Sequence, residues 1–201
     1  CEPAPRKRVT KEWQNVWIMS FRPLSRTVRS LPPALAMALG WGLRGHIGGG
    51  PLGAMIPGAM IALVLCLLLD RDGEETGLIA AFGAVGIGFG GQETYGQTVG
   101  LSIQPETFWW AILGFFIKGA VWGLLGGAVL GWALSGDARN RPRMEVIIGL
   151  GLMLAATYLG WTAVNEPKLI YFSNPHDKPR PEIWAGLLFG GVALLVWLNR
   201  K

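Results

Sequence analysis

The sequence predicts an all-α fold, a polytopic bundle of transmembrane helices. Charged residues make up only 15% of the 201-residue chain, whereas soluble domains contain about 25%. Hydrophobic residues make up 51%, and glycine contributes 30 residues, about twice its usual share in proteins. Glycine is more frequent in transmembrane helices than in soluble ones. Together with a series of long uncharged segments, these features indicate an integral membrane protein.

Residues 1–30 form the first predicted unit, a basic segment that lies in the cytoplasm or at the membrane surface. It contains seven Lys or Arg residues against Glu2 and Glu12, so it accounts for the whole net charge of +5. Such a charge fits anionic lipid headgroups, and we do not expect nucleic-acid binding because no recognition motif accompanies it. Within this segment, residues 10–21 predict an amphipathic helix in the membrane interface. Its apolar face carries Trp13, Val16, Trp17 and Phe21.

Residues 31–201 form the second predicted unit, the helix bundle itself. A helix needs about 20 residues to cross a bilayer, within a range of about 17–25. Several apolar segments are at the short end of this range and would be tilted or buried inside the bundle. We predict six crossings, from the apolar segments 31–43, 52–69, 77–91, 108–134, 146–164 and 183–198.

The distribution of Lys and Arg predicts the orientation of the bundle. With six crossings and a cytoplasmic N-terminus, the inner segments carry 13 Lys or Arg residues and the outer segments carry four. If residues 31–69 crossed only once, the two numbers would be 11 and six. Cytoplasmic segments are enriched in these residues, which favours the first arrangement. We therefore expect a plasma or inner membrane location with both termini in the cytoplasm.

The longest apolar segment, 108–134, carries a glycine stripe with one glycine every four residues. Small residues at this spacing share a helix face and let another helix approach closely in lipid. The stripe therefore predicts that this helix is central to the bundle or makes a close protein–protein contact. The partners that we expect are the lipid bilayer and, through the stripe, an oligomer or a larger membrane complex. The stripe consists of Gly119, Gly123, Gly127 and Gly131.

The sequence GQETYGQT at residues 91–98 comes close to a phosphate-binding loop. That loop requires a lysine to bind the terminal phosphates, and Gln97 stands in its place. The segment also follows an apolar helix rather than a strand. We expect neither a nucleotide nor another cofactor. A metal is not expected either, because the chain has two histidines and no Cys/His cluster.

Polar side chains inside the apolar segments give the candidate binding site. An ionisable group at the bilayer centre costs at least about 2.5–3.5 kcal/mol, so such groups face the bundle interior and pair with one another. Glu93 is the only acid within these segments, and we predict that it pairs with Lys118, Arg44 or both. Lys118 would be the buried counter-charge. The whole candidate site consists of Arg44, His46, Gln92, Glu93, Tyr95, Gln97 and Lys118.

Two glycine-rich sequences, RGHIGGGP and GGQETYGQT, are expected to break helices beside these residues. Irregular backbone at membrane depth is tolerated only against protein or a water-filled cavity. The sequence therefore favours a transporter or channel-like protein for a small solute or ion. In it, Arg44 would hold an anion, or Glu93 would hold a cation or a proton.

Two other functions stay open at this point. The chain could be a non-catalytic structural or assembly subunit of a larger membrane complex, in which the polar residues fix the register of the helices. It could also be a membrane enzyme acting on a lipid-linked substrate, with His46 and Glu93 as acid and base. No Ser–His–Asp spacing supports nucleophilic catalysis, so a non-enzymatic function is favoured.

Overall fold

The structure, a computed structural model, is built of α-helices with turns and irregular segments between them among the described residues. No strand occurs among the described residues, as the sequence predicts. The interfacial helix predicted over residues 10–21 lies outside them. The residues that the structure describes are 26–71, 73–93, 95–135, 140–173 and 182–200.

The helices follow the apolar segments of the sequence. The first four are α1 (Arg26–Ile47), α2 (Gly50–Leu68), α3 (Gly73–Phe89) and α4 (Tyr95–Ser102). They are followed by α5 (Phe108–Leu134), α6 (Arg143–Gly160) and α7 (Trp184–Leu198). A 3₁₀ turn, Gly90–Gln92, lies between α3 and α4, and a π-helical turn, Trp161–Asn165, extends α6.

Helix α5 lies at the centre of the described bundle. It packs against α3, α4 and α7, while α2 lies against α1 and α3, and α6 lies against α7. Val121, Trp122 and Leu125 of α5 belong to the largest group of buried apolar side chains. Helix α5 is therefore central among the described helices, whereas packing through its glycine stripe stays a prediction.

Glycines set the spacing between α1, α2 and α3. A Cβ atom added at Gly40 of α1 would lie 2.5 Å from Pro57 Cα of α2. A Cβ added at Gly83 of α3 would lie 2.6 Å from Gly58 O, also of α2. These distances are too short for any side chain, so the glycines allow close backbone contact of the kind found between membrane helices.

Several of these helices are suited to a lipid environment. Gly50–Leu68, Phe108–Leu134 and Arg143–Asn165 are long and apolar enough to cross a membrane, and Trp184–Leu198 is apolar but shorter. Large apolar side chains such as that of Leu67 are exposed on the outer faces. These features support a membrane location, and the number of six crossings stays a prediction.

Both predicted helix breaks occur. Within RGHIGGGP, α1 ends at Ile47 and α2 begins at Gly50. The chain turns at Gly48 and Gly49, where Gly48 has a φ of 149°, a value that favours glycine. At GGQETYGQT the break occurs as predicted, because α3 ends at Phe89 and gives way to the 3₁₀ turn.

Candidate functional site

Four irregular parts of the chain meet at one end of the bundle. They are the joint between α1 and α2, the 3₁₀ turn, the segment that follows the π-helical turn, and the residues before α7. The 3₁₀ turn lies on the α1–α2 joint, because a Cβ atom at Gly91 would lie 2.6 Å from Pro51 Cα. The residues before α7 are attached through Ile183 N, which donates to Glu93 Oε1 at 3.1 Å. This end of the bundle therefore brings together residues that are far apart in sequence.

Lys118 of α5 is the centre of a buried ionic cluster at this end. Its Nζ lies 2.7 Å from Glu182 Oε1 and 3.7 Å from Glu93 Oε2, and all three side chains have no exposed surface. The same Nζ donates to Thr98 Oγ1 at 2.9 Å and to Ser173 Oγ at 3.4 Å. We call these five residues the Lys118 cluster. It joins α4, α5, the 3₁₀ turn and the two irregular segments before α7.

Glu182 is the most extensively bonded carboxylate of the cluster. Phe172 N lies 3.1 Å from each of its two oxygens and donates to both. Ser173 Oγ donates to Oε1 at 2.7 Å. Because both carboxylate oxygens accept hydrogen bonds from residues 172–173, Glu182 fixes this segment against the start of α7.

Glu93 pairs with Lys118, one of the two partners predicted for it. Its carboxylate lies 3.7 Å from Lys118 Nζ, and its other oxygen accepts the hydrogen bond from Ile183 N. The alternative partner, Arg44, forms no ion pair within the described part of the chain. The prediction of Lys118, Arg44 or both is therefore confirmed in its Lys118 alternative.

Lys118 Nζ contacts the two carboxylates directly, at 2.7 Å for Glu182 and 3.7 Å for Glu93. Burying such charges is costly unless each is paired and hydrogen-bonded, and here the partners are protein groups. Beside the cluster, burial raises the pKa of Tyr171 above its ordinary value of 10.0, and the Glu182 charge raises it further against the opposing hydrogen bond with Ser173. The phenol therefore stays neutral at neutral pH and adds no charge there. We expect the pairings of the Lys118 cluster to hold the surrounding helices in one register.

A cavity lies between α1 and α5, beside the cluster. Its volume is about 420 Å³, and Arg44 is the one charged side chain among the described residues that line it. Trp122 Nε1 donates to Ile87 O at 2.7 Å, so the indole is fixed in the wall of the cavity. The other walls are aromatic or aliphatic. The lining residues are Met37, Trp41, Arg44, Ile87, Tyr95, Gly119, Trp122 and Gly123.

The Arg44 guanidinium is held by a ring rather than by an acid. Its Cζ lies 4.8 Å from the centroid of the Trp41 ring, within the range of a cation–π contact. Its Nε is buried, and no described group accepts a hydrogen bond from it. Trp41 in turn packs edge-on against Trp122, with 5.2 Å between ring centroids. Two tryptophans thus position a guanidinium that has no carboxylate partner among the described residues.

No protein-family model, curated protein or solved structure matches this chain. Its function therefore has to be inferred from the geometry of the cluster and the cavity.

The structure divides the predicted site residues into separate groups. Glu93 and Lys118 belong to the Lys118 cluster, whereas Arg44 and Tyr95 line the cavity. His46 is exposed in the last turn of α1 and takes no part in the cluster. Gln97 lies half-buried on α4, and Gln92 belongs to the 3₁₀ turn. Among the residues that the structure describes, no group of three His, Cys, Asp or Glu side chains could hold a metal ion.

The sequence predictions missed three members of the Lys118 cluster. Glu182, Ser173 and Thr98 are buried and contact Lys118 or one another. Glu182 follows a proline-rich polar stretch that reads as an outer loop, so no apolar periodicity indicates that it is buried. Its neighbour Trp184 starts an apolar helix, and this position at the edge of an apolar segment is the only signal that the sequence offers.

The glycine stripe on α5 is exposed in the described chain. A Cβ atom added at Gly123, Gly127 or Gly131 would meet no atom within 4 Å, and one at Gly119 would meet only Tyr95 Oη at 3.8 Å. Helix α5 packs into the bundle through its opposite face, where Val121, Leu125 and Val129 are buried. The contact with another chain through the stripe stays a prediction.

Proposed function

We propose that this chain is a membrane transporter for a small organic anion and that Arg44 holds the anion. The observation that carries this proposal is the cavity of about 420 Å³ beside Arg44. Ligand pockets in proteins have volumes of about 300–1,000 Å³ and apolar walls with a few polar groups that orient the ligand. The Arg44 cavity has this size and this composition.

The environment of Arg44 supports an anion as the ligand. A buried guanidinium nitrogen without an acceptor loses the hydrogen bond that it would make in water. An oxyanion would supply that acceptor, and guanidinium binds such groups through two parallel charge-assisted hydrogen bonds. The Trp41 ring restricts the guanidinium in advance, which lowers the conformational entropy lost on binding.

The sequence left two ligands open, an anion at Arg44 or a cation or proton at Glu93, and they are not equally supported. A cation or proton at Glu93 would have to compete with Lys118 and with the Ile183 backbone amide, both of which already contact that carboxylate. Arg44 faces a cavity and has no acid partner among the described residues. We therefore propose that the ligand is an anion and that it binds at Arg44.

The membrane arrangement is part of the same proposal. We propose a multi-pass protein of the plasma or inner membrane, with six crossings and both termini in the cytoplasm. The charge asymmetry of the loops supports this orientation. In it, residues 1–30 would form the basic cytoplasmic or interfacial segment and residues 31–201 the bundle. The α1–α2 joint would then lie toward the outer side, with Arg44 close to it.

Uptake of benzenesulfonate into proteoliposomes tests the transport proposal. This anion stays charged at every relevant pH, so it does not cross lipid as a neutral acid. We expect uptake above that of empty liposomes, and we expect Arg44→Gln to reduce it at least about tenfold. The reason is that a hydrogen bond to a charged group contributes about 1.5–3 kcal/mol.

Arg200→Gln is the matched control for this experiment. The Arg200 guanidinium also lies over a tryptophan ring, 5.5 Å from the centroid of Trp197, and it is outside the Arg44 cavity. We expect this variant to transport like the wild type. Uptake by Arg44→Gln equal to that of the wild type would contradict the proposal.

A second candidate function is supported by a different observation. The exposed glycine stripe on α5 has the spacing that membrane helices use to dock against one another, and it faces away from the chain's own buried core. A structural or assembly subunit of a larger complex would use this face. The Lys118 cluster would serve either function, because it fixes the helices in place.

A further inference from the structure

We infer that the ligand of the Arg44 cavity is an amphipathic anion, with an oxyanion headgroup at Arg44 and an apolar tail, which enters from the lipid side between α1 and α5. This inference rests on the proposed function, because it specifies the class of anion that the proposed site accepts. The ligand is defined by one chemistry, an oxyanion attached to an apolar group. Both a lipid-like molecule and a smaller alkyl or aryl anion have this chemistry.

The walls of the cavity argue against a purely hydrophilic anion. Such an anion needs several hydrogen-bond donors to replace its hydration shell, since burying a charge without them is costly. The charged donor available here is Arg44, and Tyr95 Oη is a second polar group beside Gly119. Trp122 Nε1 is already bonded to Ile87 O. The rest of the wall offers apolar and aromatic surface, which suits a tail.

The position of the opening argues for entry from lipid. Gly119 and Gly123 line the cavity and are both exposed on the outer face of α5. A Cβ atom added at Gly123 would meet no atom within 4 Å, so the absence of a side chain leaves this edge of the cavity open. Helix α5 is apolar and long enough to cross a membrane, and its outer face would therefore contact acyl chains.

The charge of the cavity comes from Arg44 and not from the neighbouring lysine. Lys118 precedes Gly119 in sequence, but its side chain is fully buried and its Nζ is 2.7 Å from Glu182 Oε1. A headgroup in the cavity would therefore lie at the Arg44 end, with the tail directed toward Gly119 and Gly123. This arrangement predicts which substitutions affect the headgroup and which affect the tail.

A series of alkyl sulfonates tests this inference. Methane-, butane- and octanesulfonate share one headgroup, and their binding is measured by calorimetry on protein in zwitterionic nanodiscs, with empty nanodiscs subtracted. We expect the affinity of the wild type to rise up to about fourfold for each buried CH₂ group. Gly123→Leu should retain methanesulfonate binding and lose the dependence on chain length, because its side chain would close the edge that admits the tail.

Two further variants separate the possible failures. Gly151→Leu is the matched control: its glycine on α6 is also exposed without contacts, belongs to neither the glycine stripe nor the cavity lining, and its series should equal that of the wild type. If all three sulfonates bind the wild type equally and Arg44→Gln abolishes binding, the anion site stands and the amphipathic ligand is wrong. The same conclusion follows if Gly123→Leu keeps the full chain-length dependence. If no sulfonate binds, or if Arg44→Gln binds octanesulfonate like the wild type, the proposed function itself fails.

Discussion

Lys118 Nζ lies 2.7 Å from Glu182 Oε1, and neither side chain has any exposed surface. The two residues belong to different parts of the chain, since Lys118 is inside α5 and Glu182 precedes α7. Their contact closes the end of the bundle where Glu93 and the 3₁₀ turn also lie. The charge inside this apolar helix therefore lies closest to a carboxylate from an irregular segment.

Replacing Lys118 by methionine should destabilise the protein by about 3–5 kcal/mol, because it leaves two buried carboxylates without their cation. The measurement is the free energy of unfolding in a lipid-like environment. Glu145→Gln is the control: it removes the 3.7 Å pair with Arg141 from a half-exposed site, where such pairs contribute about 0–1 kcal/mol. Equal stability of Lys118→Met and the wild type would show that the cluster does not hold the fold together.

Lys118 should be coupled more strongly to Glu182 than to Glu93. The shorter distance of 2.7 Å against 3.7 Å favours Glu182 electrostatically, and Glu182 also accepts hydrogen bonds from residues 172–173. Two double-mutant cycles, with Lys118→Met combined with Glu182→Gln or with Glu93→Gln, measure the two coupling energies. Coupling energies for residues in contact are about 0.5–3 kcal/mol. A larger value for Glu93 would reverse the assignment made from the distances.

Gly91→Ala should destabilise the protein by about 1–3 kcal/mol, the usual cost of overpacking. Its Cβ atom would lie 2.6 Å from Pro51 Cα, and backbone atoms cannot rotate away as side chains can. Gly96→Ala is the matched comparison, because its Cβ meets no atom within 4 Å on α4 and alanine has the higher helix propensity. Thermal unfolding should therefore show a lower midpoint for Gly91→Ala and an unchanged or higher one for Gly96→Ala.

If the glycine stripe docks a second chain, Gly127→Leu should dissociate the assembly without unfolding the protein. The position is exposed and free of contacts within the chain, so a larger side chain affects only an approaching helix. Mass measurement in nanodiscs gives the stoichiometry of the wild type and the variant. If the wild type is itself monomeric in nanodiscs, the assignment of the stripe to assembly is wrong.

Some features of the fold were accessible from sequence because the membrane environment restricts the choices. Apolar runs of helix length gave the positions of α2, α5 and α6. The Glu93–Lys118 pair followed from the small number of ionisable residues inside those runs. Gly91 and its neighbours predicted the break after α3, because glycine suits irregular backbone.

Other features depended on three-dimensional packing. Glu182 lies beside a polar, proline-rich stretch, and nothing in its local pattern indicates that it would be buried against Lys118. The Arg44 cavity is lined by Trp41 of α1 and Trp122 of α5, which pack edge-on against each other. The two tryptophans are far apart in sequence, and the spacing of apolar residues along each helix does not indicate which helices pack together. The sequence analysis placed Arg44 and Glu93 in one candidate site. In the structure, Arg44 lines the cavity and Glu93 belongs to the Lys118 cluster.

The most direct test of the account is a density map of the wild type in nanodiscs with octanesulfonate, obtained by electron cryomicroscopy with a bound antibody fragment. We predict density for the sulfonate within hydrogen-bonding distance of the Arg44 guanidinium, with the tail extending along Gly119 and Gly123. A map in which Arg44 pairs with a carboxylate of the chain, and the cavity contains no ligand density, would contradict the central claim that Arg44 is an anion site.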